Sequence, residues 1–248
     1  GRHSLSKDVN SMATRGWKAL TNIMIIEKNV EQGTPEWLDV RKGRATASEF
    51  DKIITPTGKV SKSGQAYMRK LARECVCEDP HEKSLDFVKA IKWGNEHEPA
   101  ARDWFHNNIH PVEEVGFVHH GDLTPVGCSP DGLLPIDLVH DLTDRYHGGL
   151  EIKCPQVDTH VGYLMEGKLP AAYKLQVHGS MAVTDLPYWY FLSYFPGLNP
   201  FVLKVERDDF TELVSTALHE FADDYLKERD RVIAAILPAK ETAPESVI

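Results

Sequence analysis

The chain has 248 residues, 42% hydrophobic and 26% charged, which is ordinary for a globular protein and enough for one large domain or two small ones. Its formal net charge of −9 argues against a general nucleic-acid coat. No apolar run approaches the ~20 residues of a membrane span, and Ile23-Met24-Ile25-Ile26 is too short for a signal-peptide core.

Residues 1–22 are polar and without period. Gly1-Arg2-His3 resembles a cloning remnant, and Met12 and Met24 are candidate natural starts. Thr34-Pro35-Glu36 opens a short helix, with Thr34 as N-cap and Pro35 at its first position. Thr46-Ala47-Ser48-Glu49 opens a second, with Phe50, Ile53 and Ile54 at helical spacing, and Thr55-Pro56-Thr57-Gly58 ends it. Helices are expected over 63–78 and 95–109, and strands over Val112–His119, Gly132–Leu134 and Gly149–Cys154. Helices over 156–166 and 170–183 follow, separated by Gly167 and Pro170. Tyr188–Phe195 and Phe201–Glu206 read as a hairpin turned through Pro196-Gly197-Leu198-Asn199-Pro200. Asp208–Ile236 reads as a long amphipathic helix broken once, and the tail beyond Pro238 as loose. This order suggests an α/β fold, one domain around a central mixed β-sheet flanked by helices. The four cysteines, at 75, 77, 128 and 154, have no zinc-type spacing and read as reduced thiols of a cytosolic protein.

The chemistry concentrates in Ser129-Pro130-Asp131-Gly132 and Leu150-Glu151-Ile152-Lys153-Cys154-Pro155. On a strand, Glu151 and Lys153 point to one face and Ile152 to the other. The turn-rich stretch between (Pro135, Asp137, Asp141, Asp144, Gly148, Gly149) lets the two segments pair as a hairpin. Two hard anions and an ammonium on one surface suit a Mg²⁺ site that cuts a phosphodiester. That reaction needs roughly 20 kcal/mol of barrier lowering. Asp131 is then the bridging ligand, Glu151 holds the metal carrying the nucleophile, and Lys153 meets the attacking water or the developing charge. Glu98, after Trp93-Gly94-Asn95-Glu96-His97, is either a first-turn charge on the helix dipole or a third carboxylate aimed at the metals. Arg41, Thr46 and Ser48 suggest an anion pocket at a helix N-terminus, and Gln176 a residue that orients water. The plain alternatives are a Pro-Asp-Gly turn, an exposed Glu-x-Lys strand, an N-cap with a surface arginine, and a helix-surface amide. A zinc site from His97, His106, His110, His119 and His120 shows no clear ligand spacing.

Taken in order, Trp37–Glu49, Trp93–Glu98, Cys128–Leu133, Leu150–Pro155, Tyr173–Thr184 and Val205–Asp208 resemble the lambda-exonuclease and YqaJ-type viral recombinase family of PD-(D/E)XK nucleases. The chain reads as a single nuclease domain over 23–238, between a flexible segment 1–22 and a tail 239–248. The resemblance spans residues 35–208 and implies a restriction-endonuclease-like core. It implies a phage-type enzyme of the bacterial cytoplasm, a ring-shaped homotrimer threaded by DNA. Such an enzyme digests the 5′-ended strand of a duplex and leaves a 3′ overhang for a single-strand annealing protein. Mg²⁺ is the implied cofactor, two ions per active site, with Mn²⁺ as a substitute. By matched motif, Glu98, Asp131, Glu151 and the Ile152 carbonyl are metal ligands, Lys153 is catalytic and Gln176 assists near the nucleophile. Arg41, Ser48 and Ser129 hold the 5′ phosphate, Trp37 lies by the terminal nucleotide, and Ile91 is the wedge that splits the duplex. The Asp131–Glu151 loop is longer than in the lambda enzyme. Gln156–Gly167 matches poorly, leaving His160 and Lys168 as candidates for the family's basic grip on DNA.

Other readings are an endonuclease or repair nuclease of the same fold, or a nuclease-like module that binds DNA or protein without catalysis. An iron–sulfur repair nuclease would need a further cysteine after Cys154, which the chain lacks.

Overall fold

The computed structural model describes residues 24–77, 85–121, 125–136 and 146–237, so the expected leader 1–22 and tail 239–248 lie outside the described residues. In chain order the elements are β1 (Met24–Glu27), α1 (Pro35–Arg41), β2 (Ala45–Thr46), a 3-10 helix (Ala47–Lys52), α2 (Gly64–Glu74), α3 (Leu85–Asn108), β3 (Phe117–His120), β4 (Val126–Cys128), β5 (Gly132–Pro135), β6 (Tyr146–Lys153), α4 (Val157–Glu166), α5 (Ala171–Thr184), β7 (Tyr188–Ser193), β8 (Phe201–Glu206) and α6 (Asp209–Ile236). The strands form two four-stranded mixed sheets, ordered β1-β3-β4-β2 and β5-β6-β7-β8. The chain passes from the first to the second through Ser129-Pro130-Asp131, between β4 and β5. In the second sheet β5 and β8 are antiparallel to their neighbours, while β6 and β7 run parallel.

The alternation of β6 sorts its two faces. Leu150 and Ile152 are buried with Leu134 and Leu192 against Ala101 and Phe105 of α3. Glu151 faces the other way and meets Gln176 of α5. The larger core gathers Phe50, Leu71, Val118, Met181, Trp189, Phe191, Leu218 and Tyr225 from the helices and both sheets. β6 is thus held by apolar packing on its α3 face and presents Glu151 on the other.

Several boundaries differ from the sequence reading. α3 starts ten residues before the expected 95, with Gly94 and Pro99 inside it. A proline removes only one internal hydrogen bond, and Ala101 and Phe105, both fully buried, hold the helix to the sheet. β6 starts at Tyr146, three residues before the expected Gly149, so Gly148 lies in the strand with Gly149 rather than in the turn-rich stretch. A Cβ at Gly149 would lie 2.3 Å from the Trp189 ring, and one at Gly148 2.4 Å from Tyr188. These glycines serve close approach of neighbouring rings. The helix after Thr46 is a six-residue 3-10 helix. β3 is shorter than expected, and β1, β2 and β4 were not anticipated. α6 runs unbroken for 28 residues behind a capping box of Asp208 and Thr211. Among the described residues no helix is long and apolar enough to cross a membrane.

Candidate active site

The hairpin expected between Asp131 and Glu151 is present. Gly132 pairs with Leu150, and the Asp131 amide donates to the Leu150 carbonyl at 3.1 Å. The Asp131 carboxylate turns across the pair, its Oδ2 accepting the Ile152 amide at 2.5 Å. Glu151, one residue earlier on β6, is buried (1% exposed). Its Oε1 accepts from Lys153 Nζ at 2.5 Å and from Gln176 Nε2 at 2.6 Å. Four residues singled out from sequence therefore meet in one cluster, drawn from the turn before β5, from β6 and from α5.

The phosphate pocket adjoins this cluster. Arg41 lies over the Trp37 ring, 4.0 Å from its centroid, one turn along α1. Its Nη1 reaches Ser129 Oγ at 3.2 Å and its Nη2 reaches Thr46 Oγ1 at 3.4 Å. Trp37 Nε1 donates to Ser129 Oγ and to the Gly116 carbonyl, both at 3.0 Å. Thr46 and Ser48 hydroxyls stand 3.3 Å apart. Burial lowers the Arg41 pKa, with Glu49 opposing, but an arginine side chain is effectively always protonated. A cavity of about 170 Å³ joins the two groups, lined among others by Trp37, Arg41, Ser48, Ser129, Asp131, Glu151, Lys153 and Gln176. Gln32 and Ser180 also line it and were not anticipated. Gln32 Nε2 donates to the carbonyls of Val115 (2.9 Å) and Pro130 (2.7 Å), bracing the turn that carries Ser129 and Asp131.

Glu98 sits well inside α3, which removes the first-turn dipole explanation. It is held by Arg102 one turn on, Oε1 to Nη2 at 2.5 Å. Arg102 Nε also donates to the Asp131 carbonyl at 2.8 Å, and its Nη1 to Glu114 Oε2 at 3.1 Å. Arg102 was missed, although its i,i+4 spacing from Glu98 is a readable signal. Ile91 lies on α3, but its side chain is outside the described ones.

His160 is not a surface grip on DNA. It is fully buried, bonded to Ser193 Oγ at 2.8 Å and the Asn199 carbonyl at 3.0 Å. Lys168 is exposed and pairs with Glu166. Among the described residues no group of three His, Cys, Asp or Glu side chains is gathered as a metal set, the five histidines included.

The electrostatics still favour a cation. Burial pushes Glu151 up to about 8, with Lys153 opposing and the Asp131 charge adding to the rise. Burial raises Asp131 too, against Lys153 and the Ile152 amide. Glu98 is pushed up to about 7 by burial and by Asp131, against Arg102. Burial works to lower Lys153, but Glu151 and Asp131 more than reverse it, so the ammonium stays charged. In Asp131, Glu151 and Glu98 the donors named above engage one oxygen (Oδ2, Oε1 and Oε1). Glu151 is buried and Asp131 and Glu98 are partly so, and the repulsion among these carboxylates is what a nearby positive charge would relieve.

This sets a pH dependence. Glu151 and Glu98 titrate higher in the fold than their ordinary 4.5. At these two carboxyls the folded, metal-free protein therefore holds more protons than the unfolded chain between about pH 4.5 and pH 8, and their contribution to stability falls as pH rises through that window. A cation binds the deprotonated forms. The rise in melting temperature on adding Mg²⁺ is thus expected to be larger at pH 8.5 than at pH 6. Thermal melts with Mg²⁺ and with chelator check it; an equal or smaller rise at pH 8.5 would contradict it.

A family model of the YqaJ-like viral recombinase domain matches residues 36–187. The alkaline exonuclease LHK-Exo from Laribacter hongkongensis is similar at 28% identity and TM-score 0.65, the match covering 82% of this chain and 97% of that one. LHK-Exo in complex with dAMP matches at 28% identity and TM-score 0.61, over 82% and 100% of the two chains. A phage-related exonuclease from Haemophilus somnus 129PT, at 15% identity and TM-score 0.55 over 78% and 96%, shares the fold. No curated protein matches the chain significantly. The fold is restriction-endonuclease-like, with mixed sheets flanked by helices.

Proposed function

The chain belongs to the YqaJ-like viral recombinase domain family, and on that premise we propose that it is a Mg²⁺-dependent nuclease that degrades double-stranded DNA from 5′ ends. The reading is carried by one observation: a single small cavity is lined both by the Asp131, Glu151, Lys153 and Gln176 cluster and by the Arg41, Ser48 and Ser129 pocket. A cavity with an anion seat beside a hydrolytic cluster suits a substrate that presents a terminal phosphate next to the scissile bond. LHK-Exo, the relative solved with dAMP, is an alkaline exonuclease, and dAMP is the kind of mononucleotide such a reaction releases.

Asp131, Glu151, Glu98 and the Ile152 carbonyl would hold the cation, proposed as two Mg²⁺ ions with Mn²⁺ as a substitute. When bound, it would activate water and offset charge on the phosphate. Lys153 stands 2.5 Å from Glu151 Oε1, where its ammonium would meet the nucleophile or the developing anionic charge. Gln176, on the same oxygen, would hold Glu151 in place and orient the water. Arg41, Ser48 and Ser129 would receive the 5′ phosphate, with Trp37 beside the terminal nucleotide. Ile91 is proposed as the strand-separating wedge.

Residues 23–238 are proposed as the nuclease domain. The wider proposal is a ring-shaped homotrimer acting with a single-strand annealing protein, in phage-type recombination in a bacterial cytoplasm. End dependence tests the reading at its root: a covalently closed circular duplex should survive while its linear form is degraded. Cleavage of the circle would make the enzyme an endonuclease. Arg41→Ala should cut the preference for 5′-phosphorylated over 5′-hydroxyl ends by about 10-fold or more, from the loss of charge-assisted hydrogen bonds. Competition between the two ends measures this, and an unchanged preference would mean the phosphate sits elsewhere.

A further inference from the structure

We propose that Arg102 is a positioning residue that aims two metal ligands at once, Glu98 and Asp131, and so sets the affinity of the site for a divalent cation. The proposal rests on the metal-dependent reading above.

One guanidinium makes three contacts: Glu98 Oε1 at 2.5 Å, the Asp131 carbonyl at 2.8 Å and Glu114 Oε2 at 3.1 Å. The first lies on α3 and the second on the turn before β5, so Arg102 fixes the distance between two elements that each bring one carboxylate. Its base is rigid. The preceding residue, Ala101, is fully buried, and Arg102 itself is 15% exposed. A planar guanidinium bonded to three acceptors is locked in orientation, where a lysine would pivot about one point. It engages Oε1 of Glu98 and leaves Oε2 to a cation. It engages the main chain of Asp131 and leaves the carboxylate direction to the Ile152 amide. Partners behind metal ligands typically change metal affinity by about 10–100-fold.

The opposite role would be a competitor that holds Glu98 away from the cation. The two differ in sign: removing a competitor tightens binding, and removing an aiming group weakens it. The experiment is calorimetric titration of the full chain with Mn²⁺, wild type against Arg102→Met, which keeps the stem and removes the guanidinium. The Kd for Mn²⁺ should rise about tenfold or more, and the Mg²⁺ concentration for half-maximal cleavage should rise with it. Arg102→Lys, which can keep one contact, should fall between. An unchanged or tighter Kd in Arg102→Met overturns the proposal, even if the variant melts at lower temperature, because a merely structural arginine would lower stability alone. If Arg102→Met does not fold, Arg102→Lys carries the same test, and a wild-type Kd overturns the proposal. A wild-type protein that binds no Mn²⁺ would instead overturn the metal-dependent function, which separates the two failures.

Discussion

Lys153→Ala is expected to lower the cleavage rate by about 10³-fold or more, the scale on which removing a group that stabilises transition-state charge acts. The loss should come without loss of fold or of metal. Lys153 packs its ammonium against Glu151 and over the Tyr173 ring. Removing it leaves Glu151 with Gln176 and with one cation fewer nearby. The carboxyl then titrates higher still, and protonation limits the cost of leaving it buried. A bound Mg²⁺ would also lose a repelling neighbour, so Mn²⁺ affinity should be unchanged or tighter. The three measurements together, single-turnover cleavage, thermal melting and Mn²⁺ titration, distinguish a catalytic ammonium from a structural one. Cleavage within a few-fold of wild type would remove Lys153 from the mechanism.

Asp131→Asn should show the opposite face of the same site. The asparagine keeps the shape, and its amide oxygen can still accept the Ile152 N–H, but the charge is gone. Cleavage should fall by about 10³-fold or more, since a proposed bridging ligand of the cation is lost. The melting temperature of the metal-free protein should rise at pH 8.5, because a buried carboxylate raised by desolvation no longer has to ionise. For a domain of this size each kcal/mol gained is worth about 2–4 °C. Addition of Mg²⁺ should then shift the melt far less than in wild type. A variant less stable than wild type in chelator would show that the carboxylate holds the fold together rather than being held at a cost for function.

Much of the site was legible because its chemistry is local. Asp131, Glu151 and Lys153 lie on two segments joined by a turn-rich stretch, and strand alternation alone assigns Glu151 and Ile152 to opposite faces, as Gln176 and Phe105 on the two sides of β6 bear out. Gly167 as a helix stop is equally local: it takes the left-handed conformation at the end of α4, φ 63°. The misses are non-local. Gly148 and Gly149 carry a turn signature, and only the rings of Tyr188 and Trp189 on the neighbouring strand explain them. β2 has two residues and pairs in parallel with β4, too short for any periodicity to register. Gly94 looks like a helix boundary just before residue 95, yet α3 starts at Leu85 and runs through it to the packing face at Ala101 and Phe105. That error displaced Glu98 to a helix start and hid Arg102, which reaches the Asp131 carbonyl across the fold.

The chemistry proposed for this site is a metal-dependent attack that starts at a 5′ end. It is tested most directly by digesting a linear duplex labelled on one 5′-phosphorylated strand, with Mg²⁺ and with chelator. The expected result is Mg²⁺-dependent release of labelled 5′ mononucleotides while the complementary strand stays whole. Internal fragments, release from the 3′ end, or equal digestion in chelator would contradict it.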